Sequence, residues 1–350
     1  MPKLRIEKGP APLWLRALIP IIIIVLTFLI TSLLILWADA DPFEAYYNFL
    51  ILPLSKKTSA IEVLVKATPL ILTGATAAFA FSAGYWNIGG EGQLLAGAAV
   101  GAWVGMTLTD VSPYLGIPMM IIGGIIGGVL WALGPALLKI KLDVDEVVTT
   151  LLLNSVIVYI VSYLLNGPWR NPESFWPQTQ EIDPGTMFFK LIPKSRLHFG
   201  FIISIIVIFI IWFILSRTPL GLRMRSIGLG KEAAKFAGVN INRTILITAL
   251  VSGGIAGLAG SGEIAGIHFH LVEAISENIG YNGIIVAMLA GLNPIAIIPA
   301  ALFMGLIDTG AQTVSRVLGV PVYLGNVVQA TLLLVTLSSL LLQNYRIKRS

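Results

Sequence analysis

The sequence predicts an all-α integral membrane protein of about ten transmembrane helices, and three observations carry that prediction. Hydrophobic residues make up 56% of the 350 residues and charged residues 12%, about half the charged share of an ordinary soluble domain. Mean hydropathy is +0.86. Apolar runs such as ALIPIIIIVLTFLITSLLILW (17–37) and FGFIISIIVIFIIWFIL (199–215) meet the roughly 17 to 25 residues that cross a hydrocarbon layer, and the alternation of a membrane barrel is absent.

Placed by apolar runs and their breaks, the spans centre near residues 28, 71, 101, 127, 156, 207, 253, 285, 302 and 333. The first run, 18–37, follows basic residues as a signal peptide does, but it is long and lacks a small-x-small cleavage site, so it is read as a retained helix. An even count returns the chain to its starting side. Lys3, Arg5, Lys8 and Arg16 at one end and Arg346, Lys348 and Arg349 at the other then put both termini in the cytoplasm of a cell membrane. The same path puts segments 139–146 and 217–243 inside and 166–197 outside, so that 15 of the 23 basic residues lie inside. The net charge of +5 therefore marks topology, and no nucleic-acid partner is expected. The outer segment is rich in Pro and aromatics and mixes both charge signs, which suits a small cap with a short helix or strand. Residues 1–350 form one polytopic domain, in which two four-helix blocks, 60–165 and 244–343, run in opposite orientation, the order of an inverted repeat.

No cysteine occurs, which excludes disulfides, thiolate catalysis and Cys-ligated metal. His268 and His270 fall in an expected outer connection without the carboxylate spacing of a zinc site, so no metal is expected.

The stretch GYWNIGGEGQLLAG, 84–97, breaks the apolar pattern with four glycines between 84 and 92, each costing about 1 kcal/mol of helix stability relative to Ala. Non-helical backbone at membrane depth persists only where protein or a water-filled cavity satisfies it. Two readings stand: a turn with its polar groups facing water, or a break that lines a translocation route. The second makes Asn87, Glu91 and Gln93 substrate-pathway residues and Trp86 a stacking surface. ENIGYNGIIVAMLAGLNP, 277–294, repeats the character with Asn282, and Asn293 precedes Pro294. Asn154 reads either as a pathway residue or as interhelical glue. Asp308 is a capping or functional acid inside a span, and Glu146 is a helix-start acid that suits the helix dipole.

Segment 216–243, SRTPLGLRMRSIGLGKEAAKFAGVNINR, begins with a break at Pro219 and Gly221, continues into a short Ala-faced helix and stops at Gly238. A basic segment of this kind can dock in a groove on a soluble partner. Its pattern resembles the coupling loop of permease subunits of ATP-binding-cassette importers, in the branch that carries simple sugars, branched-chain amino acids and nucleosides. Thr218, Gly221, Arg225, Gly228, Ala233, Ala234 and Gly238 match, whereas Ser226 stands for the usual Ala and Gly230 for the common Asn. NIGGEGQLLAGA and DEVVTTLLLN are similar to segments of the nucleoside-type members. The resemblance implies that Gly221, Arg223, Arg225, Gly228, Lys231, Glu232, Ala233, Ala234 and Gly238 couple the chain to a cytoplasmic ATPase. It also implies a second permease, self or a related chain, enclosing the pathway between them, and an extracytoplasmic binding protein or lipoprotein that delivers a nucleoside or, as the runner-up, a simple sugar.

The chain itself is not expected to be an enzyme. Its only approach to a phosphate loop, GLGKEA at 228–233, has Glu232 where Ser or Thr would hold magnesium. ATP and magnesium therefore belong to the partner, and VSGGIAG (251–257) reads as a packing motif. An ion-coupled secondary transporter would have to use Asp308, Glu91 or Glu263 as ion ligands and would leave the basic segment unexplained.

Overall fold

The computed structural model describes residues 4–8, 13–37, 39–319 and 321–349. Strand β1 (Leu4–Lys8), α1 (Leu13–Trp37), α2 (Pro42–Tyr46), a π turn Tyr47–Ile51 and α3 (Leu52–Ser55) lead into α4 (Lys57–Ser82), α5 (Gly90–Thr107), α6 (Pro113–Leu142) and α7 (Glu146–Asn166). There follow α8 (Gly200–Arg217), α9 (Pro219–Leu229), α10 (Lys231–Phe236), α11 (Ile241–Glu263), α12 (Ile279–Leu289), α13 (Pro294–Leu318), α14 (Leu324–Asn344) and β2 (Tyr345–Arg349). Each of the ten expected centres falls inside a helix. Among the described residues six helices have the length and apolarity of a crossing: α4, α6, α7, α8, α13 and α11 with the π turn that carries it to His268. At 11 residues, α12 rises only about 16 Å.

The contacts divide into two compact units, Met1–Val63 with Leu306–Ser350 and Leu64–Gly305. In the first, β1 and β2 pair antiparallel from Leu4↔Arg349 to Lys8↔Tyr345. Among the described residues of that unit this ribbon is the departure from an all-helical fold, and it pairs a segment near one end of the chain with a segment near the other. The Tyr46 hydroxyl donates to the Phe28 carbonyl at 2.5 Å and lies 3.0 Å from the Thr31 and Ser32 hydroxyls, which fixes the short helices against α1. Asp308 accepts a hydrogen bond from Gln329. It joins α13 to α14 rather than capping a helix end.

The second unit is built on α5, α6 and α11. Lipid offers no hydrophobic drive between helices, so small residues that let backbones touch supply the packing. A Cβ on Gly128 of α6 would lie 2.8 Å from Gly257 Cα of α11, and Gly253, Gly97 and Gly260 are closed off in the same way by facing backbone or Ala132. VSGGIAG is thus a helix-crossing surface, as its setting in an apolar run indicated.

Segment 167–199 forms a small cap with a 3-10 turn, Pro184–Thr186, and isolated bridges Gln178↔Val272 and Lys190↔His198. Backbone bonds tie it down: Phe188 N–H donates to Ala265 O at 2.8 Å and Thr179 N–H to Leu271 O at 3.1 Å. His198 is buried at its edge. Nδ1 accepts from Gly200 N–H at 3.2 Å, and Nε2 has no hydrogen-bond partner among the described residues. Burial first, and Arg196 second, push its pKa down to about 4. Between pH 6.5 and 4 the undocked cap binds the proton that the docked cap refuses, so docking stability is full above pH 6.5 and falls as the pH drops toward 4. The difference amounts to about 3 kcal/mol. Hydrogen exchange in 167–199, corrected for intrinsic rates, is therefore expected to be faster at pH 5 than at pH 7, and His198→Leu should flatten that dependence. Equal slopes in both proteins would remove His198 as the cause.

Candidate functional site: a buried polar break and an exposed basic segment

Helix α4 ends at Ser82, where Gly84 adopts φ +67, a conformation that costs a side-chain-bearing residue strain. The chain runs without helix through 83–89 until α5 begins. The polar groups of this break face protein, not water. Asn87 and Gln93 bond reciprocally, with Nδ2 to Oε1 at 2.9 Å and Nε2 to Oδ1 at 3.1 Å. Asn87 Nδ2 also donates to Ser252 Oγ of α11 at 3.0 Å, and its Oδ1 accepts from Gly89 N–H at 3.0 Å.

Helix α7 holds the other side with residues spaced by four, which share one helical face. The Trp86 N–H lies 3.5 Å from Glu146 Oε1 and the Ile88 N–H 3.3 Å from Thr150 Oγ1. Asn154 donates to Ile88 O at 3.0 Å and to the Tyr281 hydroxyl at 2.9 Å, and accepts from Gly92 N–H at 2.9 Å. Glu146 is the first residue of α7, after the Asp145 cap, and also pairs with Lys139 at 3.0 Å.

Glu91 sits where two helices begin. Gly90 and Gly280 pack together at the starts of α5 and α12, and the Glu91 oxygens accept from Ser276 Oγ at 2.5 Å and Gly280 N–H at 2.7 Å. Helix N-termini carry unsatisfied N–H groups and partial positive charge, and an acceptor-only carboxylate answers both.

The six residues expected beside a substrate route therefore separate. Asn87, Glu91, Gln93 and Asn154 are buried, and each makes side-chain hydrogen bonds to the protein. Trp86 keeps 46% of its surface exposed and packs on Phe81 at 4.7 Å. Asn282 is half-buried on α12. A groove of about 420 Å³ that the sequence did not single out lies over α5, walled by Trp103, Trp131 and Trp169 and floored by Ala96, Ala99 and Gly127.

In segment 217–243, Thr218 caps α9 through Gly221 N–H at 3.3 Å, and Arg225 donates to the Leu215 carbonyl at the end of α8. A side chain on Gly221 would strike the carbonyls of Ile214 and Leu215. Gly238, at φ +82, ends α10 with its N–H on Lys235 O at 3.0 Å. Ala234, expected on the docking face, is instead 3% exposed and packs inward. Arg223, Lys231, Glu232 and Ala233 point outward. So do two residues the sequence reading passed over, Leu229 at 92% and Phe236 at 97% exposure. Gly228 touches the polar break: a Cβ there would lie 2.7 Å from Ser82 O and 3.4 Å from Gly84 N. Segments 82–86, 139–146 and 228 thus meet on one side of this unit.

Among the described residues no cluster of three His, Cys, Asp or Glu could hold a metal ion. His268 closes the π turn after α11, with Nε2 3.8 Å from Glu263, instead of lying in a loose connection.

The sequence pattern of the branched-chain amino acid transport system permease component matches residues 59–337. The chain belongs to that family. It is also 30% identical to the glucose ABC transporter permease protein TsgB13 of Haloferax volcanii, over 97% of this chain and 92% of the relative. The guanosine ABC transporter permease protein NupP of Bacillus subtilis is 30% identical over 92% of this chain and 93% of its own, and the nucleoside ABC transporter permease protein NupB of Lactococcus lactis 31% identical over 91% and 90%. The resemblance drawn from 216–243 and NIGGEGQ therefore holds at the level of family, and this permease is the multi-pass membrane component of a transport system.

Proposed function

We propose that this permease imports an uncharged nucleoside and that a separate cytoplasmic ATPase, docked on α9 and α10, drives it. The observation that carries the coupling half is the outward display of Leu229 and Phe236 on a short segment anchored from behind by Gly221, Arg225 and Ala234. Large exposed apolar groups on a basic polar segment are contact surface. ATP and magnesium are used by that partner. A second permease completes the pathway, an extracytoplasmic binding protein delivers the substrate, and the chain lies in the cell membrane with both termini cytoplasmic. The polar interruptions at 84–97 and 277–294, one in each of the two blocks, support the reading of an inverted repeat.

The two relatives named for guanosine and nucleosides support the substrate, and the glucose permease supports a simple sugar as the second reading. Membrane vesicles that carry the permease with its co-purified ATPase, second permease and binding protein decide. ATP-dependent uptake of labelled guanosine without glucose uptake is expected. Glucose uptake alone would establish the sugar reading, and uptake driven by an ion gradient with no ATPase bound would overturn the coupling.

A further inference from the structure

Two observations meet at the break 83–89. On one side its backbone rests on Gly228 of the coupling segment, glycine against glycine, with no side chain between them to yield. On the other it is fastened to the face of α7 by Glu146, Thr150 and Asn154, and Asn154 passes on to Tyr281 of α12. The break has no helix of its own to take up a displacement, yet the Trp86 and Ile88 backbone and the Asn87 side chain are bonded to residues of α7 and α11 that lie far apart in sequence. A segment built in this way transmits movement instead of absorbing it.

We propose that 83–89 is the link that carries displacement of the coupling segment to α7 and α12, with Thr150 and Asn154 as positioning residues. Buried polar groups in the NIGGEGQ stretch are then explained without substrate contact. The inference rests on the coupling reading above.

The test uses the assembled transporter. Thr150→Val keeps the shape and removes the acceptor of the Ile88 N–H; Thr150→Ser keeps the hydroxyl. The link requires that Thr150→Val lower substrate moved per ATP hydrolysed at least fivefold, with the ATPase still bound and hydrolysing, and that Thr150→Ser restore the ratio. A purely structural threonine would lower uptake and hydrolysis together and leave the ratio unchanged, which overturns the link.

Should the Val variant fail to assemble, the absence of native cysteine allows a second measurement. Trp86→Cys places one thiol on the break, and its maleimide labelling rate is expected to change at least threefold when the ATPase is trapped with nucleotide. An unchanged rate overturns the proposal. If substitution of Leu229 and Phe236 leaves the ATPase bound and uptake intact, the coupling reading has failed and the link with it. If that substitution releases the ATPase while Thr150→Val leaves the ratio unchanged and the Trp86→Cys labelling rate stays constant, the link alone has failed.

Discussion

Replacing Leu229 and Phe236 together with Asp is expected to release the ATPase and abolish ATP-driven uptake while the permease still folds. Both side chains are almost fully exposed, and surface changes of this kind cost a folded chain about 0.5 kcal/mol or less. Burying each against a partner is worth about 1.5–3 kcal/mol, so removing both and leaving two carboxylates in the contact lowers affinity by at least about 100-fold. The check is ATPase retention on the tagged permease together with vesicle uptake, normalised to permease amount by thermal unfolding of the same samples. Full retention would show that the partner docks elsewhere. Ala234 makes an informative contrast: a charged residue there disturbs packing behind α10, so its variant should lose permease stability before it loses the partner. A loss of transport at Ala234 is therefore no measure of docking.

The misplacement of Ala234 has a general cause. Period and composition showed that KEAAKF is helical and that Gly238 stops it, because those are local properties of backbone and capping. Which face turns inward depends on α9 and α11, against which α10 packs, and spacing within KEAAKF does not relate it to α11. The same division runs through the rest of the chain. Apolar runs located ten helix centres, and Pro219, Gly221 and Gly238 located the breaks that bound α9 and α10. The glycines of VSGGIAG were legible as packing surface since lipid-embedded helices need small residues where they touch. Glu91 was visible as an anomaly, but its explanation lies 185 and 189 residues away, at Ser276 and Gly280. The polar break was likewise found by its glycines, although its burial against Glu146, Thr150 and Asn154 required knowing that α7 lies beside it.

Glu91→Ala separates framework from substrate route at the residue where the two readings differ most. As framework, the substitution leaves the Ser276 hydroxyl and the Gly280 N–H without their acceptor, at about 1–3 kcal/mol each. It also leaves two adjoining helix starts without the negative group beside them, a further 0.3–2 kcal/mol or so. The sum, about 2–8 kcal/mol, is a large share of the roughly 5–15 kcal/mol that holds a domain together. The variant is accordingly expected to melt about 10 °C lower in detergent and to reach the membrane in reduced amount, with Glu91→Gln intermediate because one acceptor oxygen remains. A pathway residue behaves differently: Glu91→Ala would then melt with the wild type and show its defect as a raised KM for uptake. Because the carboxyl group is buried against the beginnings of α5 and α12, with hydrogen bonds already made to both Ser276 and Gly280, the melting temperature is the quantity that should move.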